Sequence, residues 1–284
     1  MKKLILLYLL AWCMYVPANS QNLISEVTGK GQKIVLIPGL ASSGEVWKET
    51  VSGLSKNYEC HVLTLPGFAG NAPINLENGF MEPVQNMIKT YIQDLKSPVL
   101  LMGHSLGGFL SLKLASEIPD QIQKVIIIDS YPFYSAALNP NATVESMKPM
   151  ANQLKNNMIA MSSEQFQSQQ SMGKATMTSS QDRIPTLMDW SNESDRKTIA
   201  QAIYELMVSD ARAELEEVKC PILVLGAWYA GKDYGMTAES VSKNFQNQYK
   251  LAENVQIEMA PTAYHFIMWD NPEWMMEQIN NLLQ

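Results

Sequence analysis

The stretch VLLMGHSLGGFL at residues 99–110 decides the fold that we predict for this chain. Its first half is an apolar run, which is typical of a strand buried on both faces of a sheet. Residues 103–107, GHSLG, match the pattern G-x-S-x-G, and an apolar helical pattern follows them. Glycines beside the serine let a strand and a helix approach closely while the sharp turn between them presents the hydroxyl. The stretch therefore predicts that Ser105 is a nucleophile, whereas the simpler interpretation is a tight turn that contains a serine.

Short apolar runs alternate with amphipathic stretches along most of the chain. The runs predict strands at residues 33–38, 60–66, 98–103, 124–129, 221–226 and 255–259. Helical patterns lie near residues 45–55, 83–95, 106–117, 237–248 and 272–283. This alternation predicts an α/β fold with a mostly parallel central sheet covered by helices on both faces. Right-handed crossovers then bring every loop that follows a strand to one edge of the sheet, where ligands bind.

One segment, residues 130–220, lacks a strand-like run and is rich in Met, Gln, Ser and Asn. A structureless loop of that length is uncommon in a compact domain. Helical patterns at 143–161 and 194–208 predict a helical cap over the sheet edge, at about residues 133–212. Its methionines fit an adaptable apolar acyl site, because Met fills irregular pockets, but packing within the core of the cap explains them equally well.

Composition and charge argue against several classes of protein. The chain has 284 residues, of which 46% are hydrophobic and 17% are charged, as in an ordinary globular protein. The net charge of −7, without a cluster of Lys and Arg, argues against a nucleic-acid partner. The dispersed histidines and cysteines have no metal-ligand spacing, and no glycine-rich nucleotide fingerprint opens a helix. We therefore expect no metal and no other cofactor, and a small-molecule partner; the oligomeric state is not indicated.

The N-terminus has the layout of an export signal. Two lysines precede an apolar run at residues 4–16, and the small residues Ala18 and Ser20 precede Gln21. We predict a signal peptide over residues 1–20, a domain over 21–284, and a periplasmic or secreted protein. The apolar run is short for a membrane span, which needs roughly 20 apolar residues, so we expect no stable span after removal of the signal. An uncleaved anchor and a lipid attached to Cys13 are the alternatives.

A nucleophilic serine needs a base, and the chain has three histidines. His104 lies on the turn itself, so its side chain should point away from Ser105, and His61 lies within a predicted strand. His265 follows the last predicted strand, on a loop that leads to the C-terminal helix and would reach the active edge of the sheet. Elimination predicts His265 as the base; a structural loop histidine is the alternative.

Four segments resemble those of the α/β-hydrolase family, in its serine esterase and lipase branch. LIPGLASSGEVW is similar to the family's oxyanion-loop segment, LPGFAGNAP to the exit of its next strand, GHSLGG to its nucleophile elbow, and YHFIMWDNPEW to its histidine loop. The resemblance covers nearly the whole chain after the signal. It implies a cap inserted between the sixth and seventh strands of the family's fold, and a triad in the chain order Ser, acid, His.

The resemblance also implies an oxyanion hole formed by the backbone N–H groups of Leu106 and Leu40. Many family members have His-Gly where this chain has Pro38-Gly39. Because the donors are backbone groups, we expect them to survive that change. A contribution from Ala41 is the alternative in this loop.

Two aspartates are candidates for the acid that the resemblance implies. The family's acid usually follows the strand predicted here at 221–226, and Asp233 is the one aspartate between that strand and His265, although it is farther along than usual. Asp129 ends the predicted strand at 124–129, a position that some members use. We expect Asp233 to be the acid and keep Asp129 as the alternative, while a turn or cap residue is the structural interpretation of each. Asp210 is expected to hold structure.

These assignments predict a serine hydrolase that cleaves a carboxylic ester, a small molecule with an apolar acyl part, through an acyl-enzyme on Ser105. A lactone, thioester, amide or C–C bond fits the same residues, and a ligand-binding homologue without turnover is the alternative from another class. The family's strand order would also keep Cys60 and Cys220 several strands apart, beyond the ~7 Å between Cα atoms that a disulfide allows. We therefore expect two free thiols.

Overall fold

The computed structural model describes residues 23–284, so the predicted signal peptide at 1–20 lies outside the described residues. The strands are β1 (Ile24–Thr28), β2 (Gln32–Ile37), β3 (Tyr58–Thr64), β4 (Val99–His104), β5 (Ile122–Ile128), β6 (Ile222–Gly226) and β7 (Val255–Met259). They form one sheet in the order β1-β3-β2-β4-β5-β6-β7. β1 pairs antiparallel with β3, and the other neighbouring pairs in this part of the chain are parallel. The predicted α/β class with a mostly parallel sheet is confirmed.

The sequence predicted each of these strands to within two residues, except β1. Every residue of β1 is exposed, so the strand has neither an apolar run nor an alternating pattern that would reveal it. Backbone pairing with β3 holds it at the edge of the sheet.

Helices cover both faces of the sheet. Outside the segment between β5 and β6 they are α1 (Lys48–Leu54), α2 (Met81–Asp94), α3 (Leu106–Glu117), α9 (Ala238–Gln248), α10 (Ile267–Asp270) and α11 (Pro272–Leu283). Successive residues of a strand point to opposite faces, so Val35 joins one buried cluster with α2 and α3, while Leu36 joins another with α1 and α11. None of the helices in residues 23–284 has the length and hydrophobicity that a membrane-spanning helix needs.

The segment between β5 and β6 contains five helices: α4 (Tyr134–Leu138), α5 (Val144–Ala160), α6 (Ser163–Lys174), α7 (Ile184–Glu193) and α8 (Arg196–Met207). They are the structural counterpart of the predicted cap, whose limits at 133 and 212 stay a prediction. The loop after β3 supports the segment: Ala69 N–H donates to Ser194 Oγ at 2.8 Å, and Asp195 N–H donates to the Gly67 carbonyl at 2.8 Å.

The two cysteines of the described chain are free and buried, which confirms that prediction. Cys60 lies in β3 and Cys220 lies just before β6, and the strands β2, β4 and β5 separate them in the sheet. Neighbouring strands lie about 4.8 Å apart, so the two side chains cannot meet.

Candidate active site

Ser105 lies on the turn between β4 and α3. Its φ of 53° and ψ of −119° are an unusual conformation for a residue with a side chain. Hydrogen bonds on both sides hold this turn: Ser105 N–H donates to the Ile128 carbonyl at 3.0 Å, and its own carbonyl accepts from Phe109 N–H at 3.0 Å. The hydroxyl is half-buried and makes no hydrogen bond with another described residue. The elbow thus presents an uncommitted hydroxyl above the end of the sheet.

Glycines are required at this turn by close backbone contacts. A Cβ on Gly107 would lie 2.2 Å from the Ile37 carbonyl oxygen, and a Cβ on Gly103 would lie 2.2 Å from the Gly107 carbonyl oxygen. Real Cβ atoms do not approach that closely, so these positions exclude any side chain. The steric reason inferred from GHSLG is therefore the one that the structure shows.

The loop after β2 runs beside the elbow. Ile37 of β2 pairs with Gly103 of β4 in the sheet, so the residues that follow the two strands lie side by side. A Cβ on Gly39 would lie 3.2 Å from the Cβ of Ser105. Leu40 N–H donates no hydrogen bond within residues 23–284, and Leu106 N–H, at the first position of α3, has no acceptor within the helix. Two uncommitted donors near the serine are what a developing oxyanion needs.

His265 lies on the loop between β7 and α10, and its Nδ1 hydrogen-bonds to Asp129 Oδ2 at 2.6 Å. The Asp129 side chain is 14% exposed and that of His265 is 28% exposed. The other oxygen of Asp129 accepts from Ala227 N–H at 2.9 Å. This pairing fixes the Nδ1–H tautomer of His265, so that Nε2 is left as the basic nitrogen.

The structure pairs His265 with Asp129 and not with Asp233, which corrects the expected contact. Asp129 directly follows β5, the strand next to β4, and its N–H donates to the Leu225 carbonyl of β6 at 2.8 Å. Asp233 lies in a 3-10 turn at 229–234, where its side chain is exposed and makes no hydrogen bond or ion pair with a described residue. The turn carries Asp233 out toward solvent, whereas the sheet register places Asp129 at the active edge.

Comparison with known proteins identifies the family of this chain. A model of the alpha/beta hydrolase family matches residues 34–278. The chain belongs to the alpha/beta hydrolase family. This hydrolase is 27% identical over 207 residues to the pimeloyl-[acyl-carrier protein] methyl ester esterase of Shewanella woodyi, over 72% of this chain and 78% of that protein.

Solved structures share the fold of this hydrolase. The enol-lactonase from Burkholderia xenovorans LB400 matches with a TM-score of 0.73 and 15% identity, over 92% of this chain and 96% of that one. The esterase from Exiguobacterium antarcticum matches with a TM-score of 0.72 and 16% identity, over the same shares of the two chains. The family resemblance and the fold class are therefore confirmed.

The remaining histidines of this hydrolase are structural. His104 Nε2 donates to the His265 backbone carbonyl at 3.0 Å, and the two rings lie 4.5 Å apart between centroids. Burial, with a smaller contribution from His265, holds the pKa of His104 well below its usual value, so the ring is neutral at pH 7 and supports the loop by packing. His61 hydrogen-bonds to Tyr91 and Glu59, as expected of a packed strand residue.

Sequence reasoning missed Asp270, which joins the cap to the histidine loop. Its carboxylate accepts from Thr178 Oγ1 at 2.6 Å and from Ser179 N–H at 3.0 Å on the cap side, and from Tyr264 N–H at 2.8 Å beside His265. The motif WDNPEW shows only an aspartate before Asn-Pro, which is typical of any helix end. Its partners on the cap are far away in sequence, so no local pattern identifies this role.

The methionines of the cap do not gather at one place in this hydrolase. Met147 and Met207 pack into a small cluster within the cap, and Met158 packs into the main core. Met172 is exposed. Met177 is the one that reaches the histidine loop through its backbone, because its carbonyl accepts from Phe266 N–H at 3.1 Å. Core packing therefore accounts for the buried methionines of the cap.

Proposed function

We propose that this hydrolase cleaves a carboxylic ester through an acyl-enzyme on Ser105. The observation that carries the proposal is the 2.6 Å hydrogen bond between His265 and Asp129 at the edge of the sheet where a strained turn presents the serine. Serine at the elbow, with a histidine oriented by a carboxylate, is the arrangement that activates a hydroxyl for acyl transfer. The methyl ester esterase to which the chain is similar supports an ester as the substrate.

The geometry supports the following sequence of steps. Nε2 of His265 takes the Ser105 proton while Oγ attacks the ester carbonyl carbon. Asp129 keeps the imidazole in its reactive tautomer and stabilises the imidazolium, and the N–H groups of Leu40 and Leu106 bind the oxyanion. His265 then protonates the leaving alcohol. Water, deprotonated by His265, cleaves the acyl-enzyme and restores the Ser105 hydroxyl.

Ser105→Ala tests the nucleophile. We expect hydrolysis of short p-nitrophenyl esters by the wild type and a fall of kcat by about 10⁴-fold or more in the variant. An organophosphonate should label the wild-type protein on Ser105 and leave Ser105→Ala unmodified, as mass spectrometry would show. Absence of both turnover and labelling in the wild type would instead favour a ligand-binding homologue without activity.

The acid is tested by a matched pair of variants. Asp129→Asn should lower kcat by about 10⁴-fold, because the amide cannot hold the same tautomer or offset the charge of the imidazolium. Asp233→Asn removes a carboxylate of the same kind from an exposed turn and should keep wild-type kcat. If Asp233→Asn lost the activity and Asp129→Asn retained it, Asp233 would be the acid.

The bond type follows from a substrate panel. Lactones, thioesters, amides and C–C bonds next to a carbonyl use the same serine, histidine and oxyanion donors. When the acyl group is held constant, we expect the ester to have the highest kcat/KM of these bond types. A panel of matched acyl groups carried as ester, lactone, thioester and amide would contradict this if a class other than the esters dominated.

We also propose that residues 1–20 export the protein to the periplasm or beyond. The basic start, the apolar run at 4–16 and the small residues before Gln21 support this. Expression of the full chain in a bacterium, followed by fractionation and N-terminal sequencing, should give an exported protein that begins at Gln21. A cytoplasmic protein that retains residues 1–20 would contradict the proposal.

A further inference from the structure

Lys174 is a buried lysine without a partner. It ends α6 in the cap, and its side chain is nearly enclosed, with the residue only 6% exposed. Within residues 23–284 it makes no side-chain hydrogen bond and no ion pair. Lysine is almost never buried without a partner, because removing an ammonium from water is costly. Such a residue calls for an explanation beyond folding.

Backbone hydrogen bonds place Lys174 beside the histidine loop. Its carbonyl accepts from Met177 N–H at 3.0 Å, and the Met177 carbonyl accepts from Phe266 N–H at 3.1 Å. Phe266 directly follows His265 in the chain. Two backbone hydrogen bonds and one short turn thus connect the end of α6 to the catalytic histidine.

The charge of Lys174 also affects His104, which lies beside the His265 ring. The ammonium is one of the groups that lower the pKa of His104, after burial and the charge of His265. His104 is buried, and its ring lies 4.5 Å from the His265 ring between centroids. An interaction between charges falls with distance, so this effect agrees with the backbone hydrogen bonds that place the end of α6 beside the histidine loop.

The carboxylates of the site are already occupied. Asp129 accepts from His265 and from Ala227 N–H, and Asp270 accepts from the cap turn and from Tyr264 N–H. Neither of them pairs with Lys174 in the described structure. Next to the histidine loop there is therefore a nearly enclosed positive charge, that of Lys174, which has no counter-ion within residues 23–284.

We propose that Lys174 binds a carboxylate on the acyl part of the substrate, so that this hydrolase prefers monoesters of dicarboxylic acids to neutral esters of the same length. This rests on the proposed ester hydrolysis. One ammonium balances the single charge of a carboxylate and offers it three donors, and a charge-assisted hydrogen bond is strongest where water is excluded. Apolar groups around Met177 and Phe266 would accompany the methylene chain between the ester and the carboxylate.

The test compares esters that differ only at the far end of the acyl chain. The mono-p-nitrophenyl esters of adipic and suberic acid carry a terminal carboxylate, whereas p-nitrophenyl hexanoate and octanoate end in a methyl group. We expect the wild-type kcat/KM to favour the carboxylate esters by about tenfold or more. Lys174→Met should reduce that preference by about 30-fold, mainly through a higher KM, because truncating one member of a buried charge pair costs that much.

Two further variants control the result. Lys148→Met removes the same charge from an exposed position on cap helix α5 and should keep the wild-type preference. Lys174→Arg retains the positive charge and should keep most of the preference, which separates loss of charge from loss of packing. Circular dichroism identifies a variant that has not folded, and Lys174→Gln then replaces Lys174→Met.

A binding measurement keeps the two proposals distinguishable. In the Ser105→Ala background, monomethyl suberate should raise Tm, and adding Lys174→Met should abolish that rise. If neutral and carboxylate esters were cleaved in the same ratio by wild type and Lys174→Met, the role of Lys174 would be wrong while ester hydrolysis stood. If no ester were cleaved but the Tm rise depended on Lys174, ester hydrolysis would be wrong and the carboxylate site would stand.

Discussion

Removal of the Lys174 charge should stabilise the folded protein at neutral pH. Burial lowers the pKa of Lys174 from 10.5 to about 8. A difference of that size between the unfolded and the folded chain corresponds to about 3 kcal/mol by which folding disfavours the charged form. Lys174→Met keeps the length and the apolar stem of the side chain and deletes the ammonium. We therefore expect the variant to gain about 3 kcal/mol in free energy of unfolding at pH 7.

The gain should depend on pH in a defined direction. Below pH 8 the lysine is protonated in both states, so the folded protein bears the whole cost of the buried charge. Between pH 8 and pH 10.5 the folded protein releases the proton while the unfolded chain keeps it, so the stability of the wild type rises relative to that of Lys174→Met. At pH 9.5 the difference should have fallen to about 1.4 kcal/mol.

Urea unfolding followed by tryptophan fluorescence at pH 7 and pH 9.5 measures both values. Lys148→Met, at an exposed position, should change the free energy of unfolding by less than about 0.5 kcal/mol at either pH. A Lys174→Met variant that is no more stable than the wild type at pH 7 would refute the reasoning. So would a gain that is equal at the two pH values. A variant that gains stability and loses selectivity for carboxylates is the expected exchange of stability against function.

Three further predictions concern the turn at Ser105, the hydrogen bonds of Asp270 and the two free cysteines. Gly107→Ala should prevent recovery of soluble, active enzyme, because its Cβ would lie 2.2 Å from a backbone oxygen. Gly173→Ala should fold and keep activity, because a Cβ there would have no atom within 4 Å. Equal yields of active enzyme from the two variants would contradict the steric argument. Asp270→Ala should lower kcat/KM and reduce the free energy of unfolding by about 1–2 kcal/mol, because partly buried donors on the cap and on the histidine loop lose their acceptor. Urea unfolding and ester kinetics measure the two effects. Cys60 and Cys220 should react slowly with a thiol reagent at pH 8, because burial raises the pKa of both thiols to about 11. In protein that lacks residues 1–20, both thiols should react once the protein is unfolded without reductant. A pair that stays unreactive in the unfolded protein would indicate a disulfide.

The sequence by itself was sufficient for the elbow and for the parallel strands of the sheet. GHSLGG imposes a local steric requirement, since the residues that must be glycine lie within a few positions of the serine that they expose. Buried parallel strands carry continuous apolar runs, which made all the central strands visible. His265 could be found because the chain has few histidines and because a loop after the last strand must open at the active edge.

The partner of His265 was decided by tertiary structure alone. Asp129 and Asp233 both follow parallel strands, so the pattern of the sequence places both near the same edge. Hydrogen-bond register fixes Asp129 directly beside the elbow, whereas the backbone of the 3-10 turn at 229–234 determines that Asp233 faces solvent. That difference depends on contacts between distant segments, and a pattern of residue types does not contain it.

Burial of Lys174 is the other property that only the folded chain has. In the sequence it is one lysine in a polar stretch, SMGKATM, where lysine is ordinarily exposed. The docking of α6 and the following turn against the histidine loop encloses its side chain and leaves its charge unpaired. Local steric rules therefore determined the elbow at Ser105. Long-range packing determined the carboxylate that pairs with His265 and the environment of Lys174, because electrostatic surroundings arise only when segments distant in the chain come together.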